Sequence, residues 1–233
     1  MLDNGEKEKY ILCDADIDGE TISGIGLKTR GKGTHDVIPS FGSQKYSLKI
    51  KFNKYISGQT YYGLDSLALN NQLFDKTFLS DYFSYDMMRF VGVPAPYVSF
   101  SEVYINDEYF GFFTSVELIS NSFLRRNFGD DYGHAYKPTG GFTNTYSGCN
   151  LVYIDDNIES YSGILSESKT KASTKDKRRV IDAIKRLNGD DPESAIDVDE
   201  VIKYFAVNNF LLNYDSYWSP YPQNFLLYEK DGK

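Results

Sequence analysis

Polar and apolar residues alternate cleanly from Lys45 to Phe52: Tyr46, Leu48, Ile50 and Phe52 fall on one side, Ser47, Lys49 and Lys51 on the other. A period of two sends successive side chains to opposite faces of a strand, so this segment is predicted to be a strand with one apolar face and one lysine-bearing face. The same reading makes strands within residues 8–30, with a turn at Asp18-Gly19-Glu20 and alternation through Ile25 and Leu27. It makes a hairpin of residues 98–118, turning at Asn106-Asp107-Glu108. Residues 35–44 read as loop. Residues 75–91 have helical spacing instead, with Phe78, Leu79, Tyr82, Phe83, Asp86, Met87 and Phe90 near one stripe and Gly92 as the stop.

Further on, Ser120 to Phe128 reads as a short helix capped by Ser120 or Asn121. Residues 129–150 read as a Gly-rich loop around one short strand, Ala135-Tyr136-Lys137, and Leu151 to Ile154 as another short strand. Lys175 to Leu187 is an amphipathic helix stopped by Asn188-Gly189, and Asp197 begins a helix over 198–212. Strands gather in the first half and helices in the second, which predicts an α+β fold of two lobes.

Length and charge narrow this picture. A chain of 233 residues is long enough for one large domain or two lobes sharing a cleft. A net charge of −8 argues against a broad nucleic-acid-binding face. The basic run from Lys169 to Arg179 is interrupted by Ser, Thr, Ala and Asp and reads as a solvated helix start. No apolar stretch is long enough to span a membrane, and Met1 to Lys7 lack the basic and apolar regions of a signal peptide. The aromatic residues are 20 Tyr and 16 Phe against one Trp, a balance that suits half-buried strands and wet cleft walls. Cys13 and Cys149 are too few for a metal site of their own, and their pairing and the compartment stay open.

For chemistry, His35 and His134 lie far apart without zinc-type spacing and read as loop histidines. There is no nucleophile-elbow motif and no P-loop lysine motif. Arg30-Gly31-Lys32-Gly33-Thr34 is either a tight turn or a backbone cradle for phosphate, helped by Arg30 and Lys32. Lys49 and Lys51 either face solvent or reach an anionic ligand; glycine loop, strand and lysine in this order are also the parts of a kinase N-lobe. Glu117, between Val116 and Leu118, is either exposed at an edge or used. Asp81 and Asp86 are either solvated or available to pair with Lys51. Asp215 follows an apolar helix end, where negative charge is disfavoured, so it is either a turn former or an acid compensated by a cation. Asn224 follows nine residues later.

These residues resemble the spore-coat CotH kinase family, an atypical protein-kinase-like fold. The blocks that carry the resemblance are Thr29 to Thr34, Lys45 to Phe52, Val103 to Phe113 with Val116-Glu117, Ala135-Tyr136-Lys137, Asn213-Tyr214-Asp215, and Gln223-Asn224-Phe225-Leu226-Leu227-Tyr228. The hairpin block is the most specific, and the blocks cover nearly the whole chain in order. The resemblance implies a strand-rich N-lobe with one helix over residues 1–118 and a helix-rich C-lobe over 119–233. It implies ATP with Mg or Mn as cofactor, and phosphoryl transfer to a Ser/Thr-rich partner protein at a spore or cell surface. Lys51 becomes the ATP-phosphate lysine with Lys49 as the fallback, and Arg30 and Glu117 fall on the cofactor side. Asp215 becomes the catalytic or metal-binding aspartate, with Asn224 as a supporting ligand.

The chain departs from the family pattern in places. Lys32-Gly33 replaces an asparagine–serine pair, Leu79-Ser80-Asp81 lacks the family's arginine, and Gln223-Asn224 replaces histidine–asparagine. The family's second metal aspartate falls beyond Lys233, so the expectation is a C-lobe truncated before it, with transfer slow or absent in the chain as given. The alternative reading is a non-catalytic kinase-like binding module at a spore or cell surface. A carbohydrate-binding platform is a weaker third.

Overall fold

The computed structural model describes residues 9–31, 37–138, 149–220 and 222–233. Lys32, Gly33 and Thr34 of the glycine turn, His35 and residues 139–148 of the Gly-rich loop lie outside the described residues. The fold is α+β. The chain divides into two compact units, Met1–Arg89 with Pro94–Arg126, and Phe90–Val93 with Asn127–Lys233.

The first unit is a six-stranded sheet made of β1 (Ile11–Ile17), β2 (Glu20–Arg30), β3 (Ser47–Lys51), β4 (Ser66–Asn70), β5 (Val98–Ile105) and β6 (Glu108–Glu117). The spatial order is β1-β2-β3-β4-β6-β5, and every neighbouring pair is antiparallel. Both hairpins turn through two successive left-handed residues, Asp18 and Gly19 at φ 52 and 86°, and Asn106 and Asp107 at φ 51 and 65°. That geometry matches the right-handed twist of the strands it joins, and Asp, Asn and Gly reach it at least cost. β3 alternates as its sequence predicts. Leu48, Ile50 and Phe52 join Ile25, Leu69 and Phe113 in one buried apolar cluster. No strand was expected at 66–70, which contains no β-branched residue. Burial makes it one: Ser66, Ala68 and Leu69 are buried between β3 and β6, whose backbone groups need a partner.

The helix expected over 75–91 is α1 (Ser80–Phe90). Asp75 takes up the preceding turn. Its Oδ1 accepts from the Thr77 amide and hydroxyl at 2.9 and 2.5 Å, its Oδ2 accepts from the Ser80 amide at 2.8 Å, and Phe78 turns left-handed at φ 63°. The helix therefore starts only after this loop has closed.

The second unit contains β7 (His134–Tyr136) and β8 (Leu227–Glu229), which pair antiparallel, with α3 (Ser162–Leu165), α4 (Thr174–Leu187) and α5 (Val198–Phe210). α2 (Asn121–Phe128) spans the division between the units at Arg126. Ser173 and Asp176 form a reciprocal capping box at the start of α4, whose stripe of Val180, Ile181 and Ile184 packs with Tyr136, Cys149, Tyr161, Ile164 and Leu165. Cys13 and Cys149 are both free thiols.

The strand expected at 151–154 does not form. Leu151 turns left-handed at φ 55°, and a side chain replaces the missing ladder. The fully buried Tyr161 hydroxyl accepts from the Ile154 and Asp155 amides at 2.7 and 3.2 Å and donates to the Asp155 carbonyl at 2.9 Å. Tyr161→Phe leaves those backbone groups unpaired, and we expect it to destabilise the chain by about 2 kcal/mol in urea unfolding. Hydrogen exchange should accelerate first at Ile154 and Asp155.

Asp75 gives a pH-dependent test. Burial pushes its carboxyl upward, but the hydrogen bonds from Thr77 and Ser80 outweigh this and hold it well below the usual carboxylate range. A depressed folded-state pKa contributes stability that is present above the unfolded value of about 4 and is lost as pH falls through the folded value. The stability gap between the parent and Asp75→Ala is therefore expected to shrink as pH is lowered from about 5 to about 2. A gap that stays constant in urea midpoints over that range would contradict this assignment.

Candidate functional site

Each unit contributes one candidate region. In the first, Lys49 and Lys51 are half-buried and project from β3 on the face opposite the apolar cluster, because Leu48 and Ile50 face the cluster. Lys49 lies across from Lys28 on β2 and Ala68 on β4, and Ala68 pairs in turn with Val116 on β6. The row thus runs from two cations into two small apolar side chains, Ala68 and Val116, both buried. Lys51 lies between Gly26 and Ser66, and the Lys54 and Tyr10 side chains close over Gly26. Three lysines on adjacent positions of one face raise the local positive potential, which suits a polyanion such as a nucleotide phosphate chain. Lys28 was not singled out in the sequence, although the alternation that turns Ile25 and Leu27 inward places it on this face.

Arg30 is on the same face but is engaged elsewhere. Its Nη1 donates to Asn70 Oδ1 at 3.0 Å, and Asn70 Nδ2 and Gln72 Nε2 each donate to Asp81 Oδ2 at 2.7 Å. Burial lowers the guanidinium pKa, and the nearby Tyr85 and Asp81 partly offset this. Burial also pushes the Tyr85 hydroxyl up to about 12, with Asp81 adding to the shift. The chain Arg30–Asn70–Asp81 therefore fastens α1 to the sheet. Asp81 reaches Asn70 and Gln72 rather than Lys51, and Asp86 pairs with Arg89 at 3.0 Å.

Glu117 pairs across the ladder with Leu67, so its side chain leaves the sheet on the face opposite Lys49 and Lys51. It is 2% exposed, forms an ion pair with Arg126 of α2, and accepts from the Tyr97 amide at 3.1 Å. The Arg126 guanidinium also lies 3.8 Å over the Tyr97 ring. Of the two options for Glu117, this acid is used, and its use is to fasten α2 to the end of β6.

In the second unit, Asp215 lies in the turn that follows α5. Asn213 organises that turn. Its backbone amide donates to the Asn208 carbonyl at 2.9 Å, its Nδ2 donates to Asn208 Oδ1 at 2.8 Å, and its Oδ1 accepts from the Asp215 amide at 3.3 Å. Asp215 is exposed, and its Oδ1 accepts from Gln223 Nε2 at 2.8 Å. Asn224, also exposed, follows Gln223 directly in a left-handed conformation at φ 55°. The fold thus brings Asp215 to the segment that carries Asn224. Among the described residues Asp215 Oδ2 has no partner.

A carboxylate and an amide are hard oxygen donors, which suit Mg or Mn ions that keep waters and share substrate phosphates. No group of three or more His, Cys, Asp or Glu that could hold a metal ion converges among the described residues. His134, expected in a loop, begins β7, with Nδ1 2.8 Å from Thr170 Oγ1 and Nε2 3.3 Å from Asp176.

With this geometry in place, comparison with known families identifies the class. The CotH kinase protein family model matches residues 27–233, and the chain belongs to that family. No curated protein matches the chain. In general terms a kinase-like family implies ATP and a divalent metal ion, and no helix among the described residues is long and apolar enough to cross a membrane.

The buried Glu117 supplies a direct test. Arg126→Met leaves its carboxylate unpaired, and we expect a loss of about 3 kcal/mol in urea unfolding, the low end for a broken buried pair because Arg126 is partly exposed. Adding Glu117→Gln should restore a good part of that loss.

Proposed function

We propose that this chain is an ATP-dependent protein kinase of the CotH type, transferring the γ-phosphoryl of ATP to Ser or Thr of a partner protein of the spore-coat or cell-surface kind. In this reading the six-stranded unit is a kinase-like N-lobe and the helical unit a C-lobe. The observation that carries it is the pair of lysines on β3 turned away from the apolar cluster, in a chain that belongs to this family. Lys51 and Lys49 hold the nucleotide phosphates. Arg30 and Glu117, assigned to the cofactor side on resemblance, serve as positioning residues that hold α1 and α2.

Asp215 accepts the proton of the acceptor hydroxyl, with Gln223 keeping its carboxylate turned. Asp215 Oδ2 and Asn224 are the residues that would hold the metal. A bound Mg or Mn ion neutralises the charge that develops on the transferring phosphoryl group.

The test is transfer from labelled ATP, with Mg²⁺ or Mn²⁺, to a Ser-rich acceptor. Asp215→Asn is expected to lower transfer by about 10²–10⁴-fold, and Lys49→Ala and Lys51→Ala to raise the apparent KM for ATP. Equal transfer by Asp215→Asn would sink the assignment.

One observation favours a second reading, a non-catalytic binding module. The Gln223 amide already occupies one oxygen of Asp215, where the family places a histidine. Thermal shift decides between them: a kinase is stabilised by ATP with metal through binding to the native state, and the module is not.

A further inference from the structure

A buried ion pair in the second unit has no role in the reading so far. Arg179 of α4 donates from Nε to Glu229 Oε1 at 2.8 Å and from Nη2 to Oε2 at 3.1 Å. Glu229 is 2% exposed and also accepts from the Gly232 amide at 2.8 Å. Arg179 Nη1 donates to Asp176 Oδ1 at 2.8 Å, and Asp176 accepts in turn from the Ser173 amide at 2.7 Å in the capping box of α4. The pair is therefore rooted in the first turn of a well-packed helix and ends on β8.

β8 lies just after Asn224 in the chain and is weakly held by its backbone. It is three residues long, with three register pairs to β7: His134 with Glu229, Ala135 with Tyr228 and Tyr136 with Leu227. A two-stranded ribbon of this length does not hold its own position. Side chains must do so, and they are present on consecutive residues. Tyr228 stacks on Phe128 with ring centroids 3.7 Å apart and accepts at its hydroxyl from the Gly133 amide at 2.8 Å. Gly133 lies so close to β8 that a Cβ there would collide with the Glu229 carbonyl oxygen and come within 2.8 Å of Lys230 Cβ.

We infer that the Arg179–Glu229 pair is a positioning strut that fixes where β8 runs and thereby where the Gln223–Asn224 segment stands beside Asp215; this deepens, and rests on, the reading of Asp215 and Asn224 as metal-site residues. Stability alone does not call for such a pair. Apolar side chains of similar volume usually hold a buried position equally well. What a two-pronged guanidinium–carboxylate contact adds is direction, because two parallel hydrogen bonds fix orientation as well as distance. A loop that has to present one amide to a metal needs that orientation. The strut acts through Asn224 and touches no substrate.

The experiment compares the parent with Arg179→Met, Glu229→Leu and the double variant, in the full chain. Hydrogen exchange of residues 222–228 is read against that of α4 in the same molecule, which separates local loosening from global loss of stability. Arg179→Met strands the buried Glu229 carboxylate and is expected to lower Tm by about 10 °C, whereas Glu229→Leu leaves the partly exposed Arg179 its Asp176 partner and should lower it less. The double variant removes both charges and should recover most of that loss. Positioning predicts that exchange at 222–228 in the double variant stays at least about ten-fold faster than in the parent while α4 keeps its protection. It also predicts that Mn²⁺–ATP binding stays about ten-fold weaker, as for other residues that orient metal ligands.

If exchange at 222–228 in the double variant matches the parent, or rises only in step with α4, the strut is merely structural and the inference is overturned. If the singles do not fold, the double against the parent decides alone. A parent that binds no Mn²⁺–ATP refutes the kinase reading, and the exchange data still decide whether the strut places the loop.

Discussion

A strand in the middle of a sheet has to satisfy two faces at once, and β3 is where this chain does so. Its backbone is committed to β2 and β4, so its side chains are free only to choose a face. Leu48 and Ile50 close the apolar cluster that holds the six strands together, and Lys49 and Lys51 are forced by the same geometry onto the other face. A slip of one residue would put both lysines into the cluster and two aliphatic side chains out, which burial of charge forbids. The register that builds the core is therefore the register that presents the cations. The neighbours follow from it: Lys28, Ala68 and Val116 share the Lys49 row because the ladder is continuous across β2, β4 and β6.

Around this frame the chain uses charged side chains as fasteners for its helices and its last strand. Arg30 reaches Asp81 through Asn70 and holds α1, Glu117 takes Arg126 and holds α2, and Arg179 takes Glu229 and holds β8 on α4. In each case the partners come from different elements and the contact is wholly or partly out of water. A buried carboxylate without its partner is expensive, so each acid commits its cation. This sorts the charged residues by availability. Arg30, Glu117, Asp81 and Arg179 are committed to the fold, while Lys49 and Lys51 face away from the apolar cluster and Asp215 and Asn224 are exposed.

That sorting also explains what could be read from the sequence. Local signals were legible where local physics decides. The alternation of β3, the two hairpin turns and the amphipathic helix ending at Leu187 all appear as stated, and the helix over 198–212 needs only its end moved to Phe210. Reading failed where a distant group decides. β4 is a strand because β3 and β6 flank it, residues 151–154 are none because the Asn150, Tyr161 and Asn188 side chains take up backbone groups along them, and α1 starts late because Asp75 closes a loop. Arg179 looked like one more charge in a solvated run, since nothing nearby announces Glu229 fifty residues on. The side to which Glu117 points follows from its pairing with Leu67, and that pairing required β4.

The electrostatics of the Asp215 turn bear on which of the two functional readings is physically better supported. A helix C-terminus carries partial negative charge and disfavours a carboxylate close to it. The chain moves Asp215 past the end of α5 with a left-handed Leu212 at φ 53° and an Asn213 that ties the turn back to Asn208. This lessens the repulsion without cancelling it, and the compensation supplied is a neutral amide from Gln223 rather than a cation. Asp215 has one neutral donor, one oxygen without a partner among the described residues, and an exposed amide next to that donor in Asn224. Asp215 is exposed, so water can meet the oxygen that Gln223 leaves, and the same oxygen is open to a further ligand.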